Sequence, residues 1–65
     1  MAFAEEFKAA RLKTGMSQEV FAECTGIPVG TIRQWERGRR TPPDWVAWMV
    51  LDMMERMAEE ANESN

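Results

Sequence analysis

The sequence predicts an all-α fold of four helices, or five if its last apolar stretch divides. A long C-terminal helix closes the core. Three observations point there. Phe3, Phe7 and Ala10 recur at helical spacing, with Leu12 near the edge of that face. Residues 17–37 read as two short amphipathic helices joined by a tight turn. From Trp45 to Met54 only Asp52 is charged, and no Gly or Pro follows Pro43 to interrupt a helix.

The first helix covers residues 3–13. Glu5 and Glu6 suit its positive N-terminal end and Lys13 its negative C-terminal end. Gly15 ends it, and Met16 drops an apolar anchor into the junction. Phe3, Phe7 and Met16 are expected in the core. Ser17 is placed to cap a second helix running from Gln18 to about Thr25. Phe21 and Cys24 are three apart and expected inward, Cys24 as a small buried apolar residue. Ala22 leaves room for two helices to cross closely.

Gly26 supplies a left-handed turn, Ile27 points back to the core, and Pro28 presets φ for a third helix, about 28–37. Ile32 and Trp35 form its inner face. Thr31, Arg33, Gln34 and Arg37 stand on or near its outer face, with Val29 and Gly30 at the exposed tip. Residues 38–43, GRRTPP, read as a turn and basic loop. Thr41 is expected to cap the final helix, about 43–61, with Asp44 three residues on. The segment from about Glu59 to Asn65, EEANESN, is expected to fray.

Sixty-five residues make one small domain, spanning 1–65, with a helix-turn-helix core at 17–37. A chain this short buries only about 60% of its unfolded surface, so a lone monomer would be marginal. One Cys and no His exclude an internal disulfide and the usual zinc set, so no metal and no cofactor is expected. The N-terminus is acidic and amphipathic rather than a signal peptide, and no apolar run is long enough for a membrane span. A reducing, cytoplasmic setting follows. No paired nucleophile and base and no phosphate loop are present, which argues against an enzyme. No spare domain remains for a small-molecule ligand.

The net charge of −3 hides a gradient. Residues 1–43 carry seven Lys/Arg and five Glu, net +2, and residues 44–65 carry Arg56 against six acids, net −5. Within 29–43, Arg33, Arg37, Arg39 and Arg40 oppose only Glu36. The local field matters more than the total. A helix with an apolar back, a small-residue tip and an Arg/Gln front suits the DNA major groove.

These residues resemble the helix-turn-helix of the lambda-repressor/Cro-like (XRE) family. The likeness rests on Ser17-Gln18, Phe21-Ala22, Gly26-Ile27, Thr31-Ile32, Trp35-Glu36-Arg37-Gly38 and Pro42, over about residues 7–43. It implies an ion pair between Arg11 and Glu36 that ties the first helix to the third. It also implies that Val29, Gly30, Arg33 and Gln34 meet base edges. Val29 suits a thymine methyl, Gln34 adenine, and Arg33 guanine or a phosphate; Gly30 lets the backbone approach closely. Ser17, Gln18 and Thr31, with Arg37, Arg39 and Arg40 beside them, are assigned to phosphates. Many relatives carry polar residues where Val29 and Gly30 stand, which shifts the burden of specificity to Arg33. The turn and fifth helix usual in the family are not evident after Pro43.

The last helix is apolar nearly all round, so it needs a second partner. A homodimer is expected through Trp45, Trp48, Met49, Leu51, Asp52, Met53 and Met57, symmetric about a two-fold axis. The resemblance then implies a dimeric repressor of double-stranded DNA that reads an inverted-repeat operator and regulates its own operon. Small stand-alone domains of this type serve phages and mobile elements, anti-CRISPR operons included. The rival reading is an antitoxin-like module whose apolar helix binds another protein, with DNA binding secondary.

Overall fold

The computed structural model describes residues 2–63 as four helices: α1 (Phe3–Thr14), α2 (Gln18–Thr25), α3 (Val29–Glu36) and α4 (Asp44–Glu63). Phe7, Phe21, Ile32, Val50 and Met54 form the buried centre, one or two from each helix. Phe7 organises it. Its ring lies 5.7 Å from Phe21 and 5.5 Å from Trp35, both edge-on, and 5.6 Å from Phe3. Edge-to-face packing places the positive rim of one ring on the negative face of the next. Trp35, expected in the core, is half-buried and closes this cluster against Phe3. The α4 helix packs mainly along α1, and α3 rests on α1 and α2.

The junctions follow local chemistry. The Ser17 hydroxyl accepts from the Val20 N–H at 3.1 Å, capping α2. Gly26 ends α2 at φ 81°, and its N–H donates to the Ala22 carbonyl. A side chain would strain there, so this glycine sets the turn. Pro28 precedes α3 rather than opening it, and its carbonyl accepts the first helical N–H bonds.

Several expectations need correction. Cys24 is exposed. The inner face of α2 follows Gln18, Phe21, Ala22 and Thr25, and a residue three after Phe21 falls outside that stripe. Pro43, not Thr41, occupies the cap of α4: its carbonyl accepts from Val46 and Ala47, both at 3.0 Å. The cause is steric. A residue that precedes proline is pushed out of the α region, so Pro43 keeps Pro42 from serving as the first helical residue that a cap at Thr41 would need. The segment expected to fray is helical through Glu63, continuing the helix past the buried Ala58; Ser64 and Asn65 lie outside the described residues. Among the described residues there is no fifth helix, because α4 runs unbroken.

A buried ion pair crosses this core. Arg11 on α1 meets Glu36 at the end of α3 through two parallel bonds, Nε to Oε2 at 2.6 Å and Nη2 to Oε1 at 3.0 Å. Its Nη1 donates to the Met16 carbonyl at 2.9 Å. The two side chains are 9% and 5% exposed. Donating to the Glu36 carboxylate raises the Arg11 pKa above its ordinary value, against the opposing effect of burial. Removing one partner strands the other charge. Glu36→Ala is expected to lose about 3 kcal/mol of stability, as judged for breaking a buried pair. Urea unfolding measures it; a loss below about 0.5 kcal/mol would mean the pair behaves as a solvated one.

Candidate nucleic-acid interface

The outer side of α3 carries the residues expected to read DNA. Val29, Thr31 and Arg33 are half-exposed, and Gly30 and Gln34 are exposed. Ile32 is fully buried beneath them. The inner residues thereby fix the rotation of α3 and hold the outer row toward solvent. Gly30 has no conformational need to be glycine: it sits within the helix, and a Cβ added there meets nothing within 4 Å.

The basic loop extends the same surface. Gly38 turns the chain at φ 74°, and its N–H donates to the Trp35 carbonyl while that of Arg39 reaches Gln34. Arg37, Arg39 and Arg40 are exposed and form no salt bridge among the described residues. Three uncompensated guanidiniums beside an exposed helix face make a local positive field on an acidic chain.

The N-terminus of α2 faces this row. Ser17 caps the Val20 N–H and Phe21 bonds the Ser17 carbonyl, which leaves the first two N–H groups of α2, those of Gln18 and Glu19, unclaimed by the helix. The Gln18 side chain is engaged at both ends. Its Nε2 donates to Glu36 Oε1 at 3.2 Å, and its Oε1 accepts from Arg33 Nε at 3.3 Å. Arg33 also donates through Nη2 to Glu19 Oε2 at 2.9 Å. A continuous polar chain therefore runs from Arg11 through Glu36, Gln18 and Arg33 to Glu19.

Sequence reasoning placed Arg11 beside Glu36 only through the family resemblance, and it missed the rest of the chain. Glu19 drew no attention as a first-turn acid. Its link to Arg33 depends on how α2 crosses α3, which no spacing in the sequence encodes.

The residues expected at a dimer interface divide in two. Trp45, Trp48 and Met49 are 64%, 71% and 62% exposed. Asp52 is also exposed and pairs with Arg56 one turn on, at 3.2 Å. Leu51, Met53 and Met57 are half-buried against the protomer's own core and border the exposed stripe. No helix among the described residues is long and apolar enough to cross a membrane.

Comparison with known proteins identifies the family of the helix pair. The helix-turn-helix family matches residues 7–45. The chain is similar to a protein named Repressor protein C from Escherichia phage P2, 36% identical over 47 residues. That match covers 72% of this chain and 48% of the relative, so the chain spans about half the length of the curated relative it matches. No solved structure matches.

The freedom around Gly30 separates stability from binding. Gly30→Ala is expected to stabilise the fold by up to about 1 kcal/mol, the helix-propensity difference. If the backbone there lies against DNA, the same change weakens DNA binding. Thermal unfolding together with fluorescence anisotropy on duplex DNA checks both. Unchanged affinity would place Gly30 away from the contact.

Proposed function

The chain belongs to the helix-turn-helix family, in its lambda-repressor/Cro-type branch, and from that premise we propose that it is a sequence-specific repressor of double-stranded DNA. The observation that carries this reading is the outer row of α3 set beside three unpaired arginines. In this reading α3 enters the major groove. Val29, Gly30, Arg33 and Gln34 meet base edges, Arg33 and Gln34 through the donors and acceptors that the groove displays. Arg37, Arg39 and Arg40 neutralise phosphates, and Ser17, Thr31 and the free N–H groups at Gln18 and Glu19 orient the domain on the backbone. Such a protein works where the DNA is, in the cytoplasm. It regulates by occupying a promoter, its own among them.

The second part of the proposal is a homodimer through α4 reading an inverted repeat. Trp45, Trp48 and Met49 form an apolar stripe that begins just after the basic loop, on the N-terminal half of α4. Asp52 and Arg56 follow on the same face. A second copy related by a two-fold axis would cover the stripe with its own, and the paired charges would meet their opposites across the axis. Two copies docked in this way would present two α3 helices to one side of a duplex.

Three variants test these assignments. Arg33→Ala is expected to weaken binding to the cognate duplex by about 1–3 kcal/mol and to relax preference at one base position. Arg39→Ala is expected to weaken binding to every sequence and to reduce the salt slope by about one unit at most. A loss confined to one base position would contradict that role. Trp48→Glu is expected to yield a folded monomer in sedimentation, with inverted-repeat binding reduced to half-site strength. An unaltered dimer would remove α4 as the interface. A monomeric wild-type chain that instead captures a different protein through this stripe would favour the antitoxin-like reading.

A further inference from the structure

An arginine on an exposed helix face is free to choose between a base and a phosphate, because its long side chain reaches both. Here the geometry of Arg33 is constrained. A guanidinium is planar and has two edges that can each donate a pair of bonds, one through Nε and Nη2, the other through Nη1 and Nη2. The first edge is already taken. Nε donates to Gln18 Oε1 and Nη2 to Glu19 Oε2, both from the first turn of α2. Gln18 is itself anchored to Glu36, which Arg11 holds in the core. The far edge, Nη1 with the second proton of Nη2, remains. A two-donor fork of that kind matches the O6 and N7 acceptors of guanine.

We propose that Glu19, supported by Gln18, is a positioning residue that presents Arg33 end-on to a guanine and makes it a base reader. The proposal rests on the reading of α3 as the recognition helix and adds the residue that decides what Arg33 recognises. Glu19 has a second effect. Its side chain is 67% exposed on the DNA-facing side, so its charge repels phosphates wherever no guanine rewards the approach. One carboxylate thus lowers affinity for random DNA and sharpens discrimination at a single base pair. The pair with Arg33 is open to solvent, so it contributes little to folding. Its role is therefore separable from stability.

The test uses the full chain as wild type, Glu19→Ala, Glu19→Gln, Arg33→Ala and the Glu19→Ala/Arg33→Ala double variant. Each is titrated on the cognate duplex, on the same duplex with the guanine pair replaced, and on a random duplex. Glu19→Ala is expected to cut the guanine preference about three- to tenfold, a share of what one bidentate contact gives, while binding random DNA more tightly. Glu19→Gln keeps an acceptor and retains most of the preference, yet also binds random DNA more tightly. The double variant shows no loss of preference beyond Arg33→Ala alone. If Glu19→Ala strengthens binding to all three duplexes equally and leaves the preference intact, Glu19 is only a repelling charge and the positioning role fails. If Arg33→Ala itself leaves base preference unchanged, the base-reading role of Arg33 fails, and the proposal with it.

Discussion

The placement of α3 and of the polar chain on its outer side depends on the bidentate contact between Arg11 and Glu36. Glu36 is the last residue of α3, and Arg11 reaches it from α1 while also holding the Met16 carbonyl at the entry to α2. One guanidinium thus joins α1 to α3 and to the turn that leads into α2. A buried ion pair is weak evidence of stability, because desolvation cancels much of the attraction. Its value here is geometric. Arg11 is the cation paired with Glu36 and Gln18 adds a further bond to it, so α3 settles where the fork fits. From Glu36 the order passes outward through Gln18 to Arg33 and Glu19. Buried rigidity is converted into placement of an exposed side chain.

The apolar core works alongside that contact. Phe7 touches Phe21 of α2 and Trp35 of α3 edge-on, and Val50 and Met54 of α4 complete the buried cluster. The result separates tasks by helix. The α1 helix is the hub, α2 and α3 carry the exposed polar row and its supporting contacts, and α4 braces α1 while carrying an apolar stripe outward. Charge is divided in the same way. The arginines cluster at the end of α3 and the following loop, and the acids gather on α4. An acidic chain can approach DNA if only its basic edge faces the duplex.

The helices were legible because their signals are local. Ser17, Gly26 and the apolar spacing of α1 each act within a few residues, and the four-helix order follows from them. The faces of the helices were less legible. Cys24 lies at a helical interval from Phe21 but on the wrong side of the stripe, since the crossing of α2 with α3 selects Phe21 and Thr25. The start of α4 was misplaced because two consecutive prolines constrain the residues before them more strongly than Thr41 favours a cap. The outer row of α3 was visible, since its residue types and spacing carry the family pattern and it does face solvent. The Gln18–Arg33–Glu19 link was not, because it joins side chains from different helices, and nothing in one sequence reports that distance.

Selection of bound duplexes from a random pool, at near-physiological salt, tests the central claim most directly. The account predicts an enriched inverted repeat with half-sites about one helical turn apart and a fixed guanine in each half. Its spacing would give the separation of the two recognition helices. A pool that shows no enriched sequence, with binding that simply fades as salt rises, would contradict the account and reduce the interface to a nonspecific basic patch.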